Sequence, residues 1–439
     1  MFILVIDPDF LSLDWCLRCT AYGHTVKVYS KGSRSSHIGS GLVDKVSNWK
    51  PYMKVADLIM VADNLEFMDE IDEYIKKGYP IFGPGKRAAK LEIDRMYGQK
   101  LISDISDAAI PSVEFKNYDD AIRYVKENPG RYCSKPSTEE ADKTLTFVSK
   151  DEADLIGFLT KRKEQGKKAD KFILQEFKKG TEFAVTGIFG PGGWSKIWFE
   201  GFEHKKLMDG ELGPATGETG TVVYATEESK LADILLKPLE KVLHEIQYCG
   251  FLDVNCMVDE KNGTPYFLEF TARAGYPMWS IITSLITNED PAQWFLDVVQ
   301  GKDTLEAQVG KVSTGVVIFN SDFPWNKKEE ESYLDFPIFI DDINVSDLHP
   351  AEVKLTKTMK MVNGELDENC FEWGTAGSFL VVCTGVGDTV KESKEKAYKI
   401  VKKVKVGNDS GYRLDIGDKC EKFLKELHKF GYAKKLKFE

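Results

Sequence analysis

The residues with the plainest chemical potential lie between Gly250 and Arg273. Lys261-Asn262-Gly263 predicts a three-residue hairpin loop with Gly263 in the left-handed conformation. That register sets Asn255 against Glu269 and Asp253 against Thr271. Four hard-oxygen side chains then share one face, while Leu252, Val254, Cys256, Val258, Leu268 and Phe270 fill the other with core. Oxygen donors with few carboxylates suit Mg²⁺ that is shared with substrate phosphates. The plain alternative is the polar surface of a two-layer sheet, and a one-residue slip in register would scatter the four.

The rest of the chain has to hold that hairpin. Its 439 residues exceed one core and predict two or three domains. At 42% hydrophobic and 29% charged the composition is ordinary globular usage. No apolar run approaches the ~18 residues of a membrane span, and Phe2–Ile6 reads as a buried first strand, not a leader. Net charge is −11, which argues against a duplex nucleic-acid partner. The eight cysteines are scattered, which fits a reducing, cytoplasmic setting. Cys16 and Cys19 form a C-x-x-C with no second ligand pair nearby, so two free thiols on a helix is the better reading than zinc or a redox pair.

Strands at 2–6, 24–29, 56–61 and 80–82 alternate with helices at 11–22 and 66–77, the pattern of a parallel, doubly wound sheet. The first strand ends in Asp7-Pro8-Asp9, so a dinucleotide fingerprint is absent where it would sit. Further on, a helix at 94–105, strands at 172–177, 182–189 and 195–203, a long helix at 227–248 and an apolar helix near 277–288 are predicted. The last part reads as strands at 312–319 and 378–385 with helices at 388–404 and 418–430.

Several motifs together resemble the ATP-grasp ligases, and among them the phosphoribosylamine–glycine ligases. Pro80–Pro84 followed by Leu91-Glu92 is similar to that family's join between its first and ATP-grasp domains. Gln175–Val185 resembles its nucleotide hinge. His204-Lys205-Lys206, Asp209–Gly217 and Gly220 resemble its substrate loop, and Leu268–Pro277 its metal and substrate strand. Thr389-Val390, Lys396-Ala397-Tyr398 and Gly411–Gly417 resemble its C-terminal domain. The resemblance implies an α/β (α+β ATP-grasp) fold: a Rossmann-like domain over 1–95, an ATP-grasp domain over 96–308 with a lid subdomain about 112–180, and a small mixed C-terminal domain over 309–439.

It also implies roles. Lys135 and Lys143 would reach ATP phosphates, helped by Lys100 (or Arg95), with Lys143 and Arg273 catalytic. The adenine would lie against the backbone of Glu176 and Phe177, and Glu182 would accept from the ribose hydroxyls. Asp209, Glu211, Gly213, Pro214, Thr216, Gly217 and Arg273 would bind substrate, Arg273 as a bidentate carboxylate clamp. Glu269, Asn255 and Thr271 would hold Mg²⁺ (or Mn²⁺).

The implied reaction is ATP- and Mg-dependent carboxylate–amine ligation through an acyl phosphate, placed by the resemblance in purine biosynthesis. The implied partners are glycine or a similar small acid and an amine acceptor, in a monomer or homodimer. Four departures stand out: Asp7–Ser12 replaces a glycine-rich turn, Ala62-Asp63-Asn64 replaces a Gly-Pro-Glu, Pro136–Asp142 replaces a glycine-rich lid, and Thr271 stands where Asn is usual. The alternatives are a related ligase that joins a small amino acid to a different, cationic or neutral amine, and a catalytically silent nucleotide-binding relative.

Overall fold

The computed structural model describes residues 1–31, 35–137, 146–166, 171–324, 334–341, 345–407 and 409–439. Phe2–Ile6 is the middle strand of a five-stranded parallel sheet in the order Asp44–Lys45, Thr25–Tyr29, Phe2–Ile6, Leu58–Val61, Ile81–Phe82. Ile3, Leu4 and Val5 are fully buried, as a strand covered on both faces requires. The helix Leu13–Tyr22 stops at Gly23, whose φ of 109° lets its N–H reach the Cys19 and Thr20 carbonyls. Cys16 and Cys19 are free and buried on that helix, and burial pushes both thiols up, so they are inert packing groups.

A nine-stranded antiparallel sheet forms the centre. Its order runs Pro265–Thr271, Gly250–Asp259, Gly180–Gly190, Trp198–Glu203, Gly220–Thr226, Val312–Phe319, Phe379–Gly387, Leu348–Pro350, with Gly193–Trp194 folded back on Gly180–Gly190. Gly220–Thr226 pairs directly with Val312–Phe319, so the sheet runs unbroken across the 308/309 junction. The Trp15 ring lies 5.8 Å from Trp279 and 5.2 Å from Phe295. These contacts lock the N-terminal helix onto helices Met278–Thr283 and Gln293–Val299 of the central part.

A smaller antiparallel sheet, Ser112–Phe115, Phe172–Glu176, Tyr132–Pro136 and Phe147–Val148, carries helices Tyr118–Glu127 and Glu152–Glu164. Asn117 and Asp151 cap those helices by accepting from the N–H three residues on. The long helix predicted over 227–248 is instead broken into Lys230–Leu235, a 3₁₀ turn Lys237–Leu239, and Glu240–Glu245. Pro238 has no N–H to continue the ladder.

The predicted hairpin register holds at the polar end: Asn255 pairs with Glu269 and Asp253 with Thr271. It is reached differently from the sequence expectation. Asp259 N donates to the Thr264 carbonyl, so the loop is the longer 260–263, with Gly263 at φ 73°. A bulge then sets Cys256 against Phe267, leaving Leu268 as the extra residue. The core position expected for Leu268 is therefore filled by Phe267, which is buried while Leu268 is only half-buried.

On the strand Trp198–Glu203, Glu200 is buried, accepting from Ser229 Oγ at 2.7 Å. Ser229 in turn caps Lys230–Leu235 by accepting from Ala232 N. Burial pushes the Glu200 carboxyl from 4.5 up to about 7. The folded protein holds that proton where the unfolded chain releases it, so stability falls as pH rises through this window, by on the order of 3 kcal/mol. Glu200→Gln is expected to match wild type near the bottom of the window and to melt at a higher temperature at about pH 8. Parallel melting curves at both pH values would disprove the assignment.

Candidate active site

The polar face of the central sheet is wider than the hairpin. Asn255 lies opposite Ala184, and Asp253 opposite Thr186, on Gly180–Gly190; Ala184 lies opposite Gly201 on Trp198–Glu203. By strand alternation Glu182, Thr186, Glu203, Asp253, Asn255, Glu269 and Thr271 all project on one side. Ala184 and Gly201 leave room between the longer side chains. Phe183, Val185, Phe202, Val254 and Phe270 project on the other side and are buried.

The carboxylates meet on a lysine. Lys205 Nζ lies 2.9 Å from Glu182, 3.0 Å from Glu203 and 3.4 Å from Glu269. Burial alone would lower the Lys205 pKa, but Glu182, then Glu203 and Glu269, hold its ammonium well above the ordinary value. Asn255 Nδ2 donates to Glu182 at 3.0 Å and Glu203 at 2.8 Å, which leaves Asn255 Oδ1 buried without a partner. Arg95 reaches the far oxygen of Glu269 at 2.9 Å. Lys135, at the end of its strand, donates to Gln175 Oε1 at 2.9 Å. Burial, then Arg95, pulls the Lys135 ammonium down, so these cations crowd one side of the site. An anion there would relieve that repulsion.

Beside this network lies a cavity of about 290 Å³. Its walls include Glu203, Lys205, Glu218, Asp253, Glu269 and Arg273 on the polar side and Phe251, Met278, Trp279 and Phe379 on the apolar side. Asp253 accepts from Thr186 Oγ1 at 2.8 Å, and burial, then Glu203, pushes its carboxyl up. Arg273 is held by Glu92 at 3.2 Å, and Glu92 also accepts from Ala272 N. Four residues of this wall carry buried polar atoms with no hydrogen-bond partner among the described residues: Glu218 Oε1, Asn255 Oδ1, Tyr276 Oη and Trp279 Nε1.

The other sequence-predicted residues are spread more widely. Lys100 is exposed on the helix Arg95–Ser103, and it is Arg95 at that helix's start that joins the site. Lys143, with most of the Pro136–Asp142 segment, lies outside the described residues. Glu176 and Phe177 form the link from the small sheet to Gly180–Gly190, but their N–H groups already donate to the Pro111 and Arg131 carbonyls. The Arg131 guanidinium covers the Phe177 ring at 3.5 Å.

Of Asp209, Glu211, Gly213, Pro214, Thr216 and Gly217, only Gly217 lines the cavity. Asp209 accepts from Leu414 N and Glu211 from Arg413 Nη2, so both tie the loop to 413–415. Thr216 bonds back to the Lys205 carbonyl and so fixes that lysine's backbone. Lys205, Glu203 and Glu218 received no individual role from the sequence. Lys205 and Glu218 do sit within or beside the His204–Gly220 motif, which was the available signal.

The Asp7–Ser12 turn encloses the Asp7 carboxyl group. It is buried, accepts from Ser12 N at 2.8 Å and Ser12 Oγ at 2.7 Å, and burial pushes it up to about 6. Asp63 accepts from the Leu65 and Glu66 N–H groups. Only Leu11 of the turn lines the cavity.

Comparison with known proteins places the fold. Residues 94–278 match the family described as phosphoribosylglycinamide synthetase, ATP-grasp (A) domain. A bifunctional purine biosynthetic protein of Pichia angusta is 27% identical over 84% of this chain, which spans 45% of that protein's length. A phosphoribosylamine–glycine ligase of Neisseria meningitidis serogroup B is 26% identical over 80% of this chain and 81% of its own. The crystal structure of phosphoribosylamine–glycine ligase from Thermotoga maritima superposes with a TM-score of 0.70 at 19% identity, covering 95% of this chain and all of that one. Residues 94–278 thus resemble the ATP-grasp (A) domain of phosphoribosylglycinamide synthetase, set in an ATP-grasp fold that extends over nearly the whole chain.

Proposed function

We propose that this chain is an ATP-dependent carboxylate–amine ligase. The observation that carries the reading is the convergence of Lys135, Arg95 and Lys205 on the carboxylate face beside a cavity that also holds Arg273. Lys135 is held by the neutral Gln175 amide beside Arg95 and Lys205, an arrangement that favours a polyphosphate, and phosphoryl transfer needs positioning and charge neutralisation more than a protein nucleophile. Two of the relatives named above are phosphoribosylamine–glycine ligases by name.

In this reading Glu176 and Phe177 flank the adenine, and Glu182 accepts from the ribose. Lys135, Arg95 and Lys205 neutralise the phosphates. Arg273, anchored by Glu92, orients the acid. Carboxylate oxygen attacks the γ-phosphorus and ADP leaves. The amine lone pair then forms the C–N bond while the acyl C–O bond breaks, and phosphate departs with the nitrogen's proton.

The donor set fits Mg²⁺. Glu269 and the unpartnered Asn255 Oδ1 are hard oxygens on paired strands, with Thr271 two residues on. Among the described residues no cluster of three His, Cys, Asp or Glu is ready to cage a metal by itself. A site shared with phosphates needs fewer protein ligands than that. When bound, the ion supplies charge neutralisation on the phosphates.

Trapping tests the chemistry. With Mg·ATP, a small amino acid and hydroxylamine in place of the acceptor, an acyl hydroxamate should form together with ADP. ADP release without hydroxamate across a panel of small acids would exclude an acyl phosphate.

Two substitutions test the residues. Glu182→Ala should weaken ATP binding about ten- to a hundredfold, the worth of a hydrogen bond to a charged group; unchanged affinity by calorimetry on a folded variant would remove Glu182 from the nucleotide site. Glu269→Gln should stay folded and lose Mg-dependent ADP release, because a neutral amide cannot offset the cation's charge. A normal Mg²⁺ titration in that variant would place the metal elsewhere.

A further inference from the structure

The ligase reading assigns Asn255 Oδ1 to a metal, but it leaves the buried, unpartnered oxygens of Glu218 and Tyr276 unexplained. Glu218 is 94% buried, its relative exposure being 6%. Taking a carboxyl out of water without a hydrogen bond costs several kcal/mol. A fold tolerates that where a ligand completes the group.

The surroundings say what kind of ligand. Glu218 faces the same cavity as Glu203 and Asp253. Among the described residues lining it, the two cations are both engaged: Lys205 by Glu182, Glu203 and Glu269, and Arg273 by Glu92. On the Glu218 side a further phosphate would meet carboxyl groups in excess, because Glu203, Glu218, Asp253, Glu269 and Glu352 line the cavity against Lys205 and Arg273. The opposite wall is Phe251, Trp279 and Phe379. Aromatic faces attract an organic ammonium and do nothing for a hydrated metal ion. Burial, then Glu203, pushes the Glu218 carboxyl well up, the condition of an acid whose counter-charge is missing.

We propose that the cavity selects an amine acceptor carrying a second positive charge, with Glu218 accepting from that second ammonium and the aromatic wall covering its alkyl chain. This rests on the ligase reading for the word acceptor, but the binding site itself does not. One ammonium would sit on Glu218 while the other nitrogen, deprotonated, faces the acid held at Arg273. Glu218 is then a specificity-determining residue, distinct from the groups assigned to ATP.

Calorimetry on the full chain without ATP tests it, using putrescine, butylamine, inorganic phosphate and MgCl₂ as separate probes against wild type and Glu218→Gln. Putrescine is expected to bind wild type at least about tenfold more tightly than butylamine, and Glu218→Gln should erase that advantage. The variant should melt no lower than wild type, since a neutral amide replaces an unpaired buried carboxyl, so loss of binding would not reflect unfolding. Equal putrescine affinity in both proteins would overturn the proposal. So would phosphate that displaces putrescine from the cavity, or Mg²⁺ binding that is lost in Glu218→Gln, which would make Glu218 a metal ligand. If putrescine binds as expected and no acid gives ATP turnover, the ligase reading fails and the cationic site stands. If hydroxamate forms but only phosphate-bearing amines are accepted, the reverse holds.

Discussion

Buried carboxylates repel one another, and a sheet face that carries Glu182, Glu203, Asp253 and Glu269 can persist only if cations and donors stand among them. Lys205 answers that constraint for three of the four, Arg95 shares Glu269, and Thr186 serves Asp253. Much of the local architecture follows from placing those partners. The Thr216 contacts hold the Lys205 backbone in place. The helix Arg95–Ser103 is packed against the strand Pro265–Thr271 through Gln99, which donates to the Phe267 carbonyl and accepts from Ile110 N. That helix is thereby fixed so that its first residue reaches Glu269.

The network is neutralised with little to spare, and that is its functional meaning. A site whose charges were all satisfied would have no reason to take up nucleotide, metal or amine. Here Lys135 sits against other cations on one side, while Glu218 and Asp253 sit against other carboxylates on the cavity side. The same sheet face therefore presents an anion-seeking half and a cation-seeking half, separated by the Lys205 cluster. An apolar wall from the helix Met278–Thr283 and from Phe379 bounds the cavity, and electrostatic interactions beside such low-dielectric surroundings are stronger than in water.

The part of the chain beyond residue 308 supports this face directly. Val312–Phe319 extends the central sheet, and Arg413 binds Asp415, Glu211 and the Lys206 carbonyl. Asp209 and Glu211 thus serve to dock that segment on the loop that carries Lys205. His349, Asp14 and Arg18 form a second tie, between the first helix and the strand Leu348–Pro350. A cavity bounded by Leu11, Trp279 and Phe379 requires all three regions of the sequence to meet.

Local patterns determined much of this by themselves. Alternation and turn residues placed Asn255 against Glu269, and the strand–helix rhythm of the first 95 residues dictated the parallel sheet, because both depend on neighbours a few residues apart. The hairpin shows the limit of such patterns: a longer loop and a compensating bulge reach the same polar register, but exchange Leu268 for Phe267 in the core. The long hairpin Val353–Val362 and Glu365–Thr375, closed by Asn363-Gly364 with φ of 52° and 86°, is not among the predicted strands, although Asn-Gly is the turn chemistry such a hairpin uses. Charge partners are different. Arg95 and Lys100 lie five residues apart and so about 140° apart around a helix, and only the packing of that helix decides which one faces Glu269. Lys205 meets Glu182 and Glu269 from strands distant in sequence, and Glu218 acquires its unpaired oxygen only when the cavity closes around it. Sequence determines which side chains alternate and where the chain turns; the order of strands in the sheet decides which charges come within 4 Å of each other, because electrostatic partners are chosen by distance in space and not along the chain.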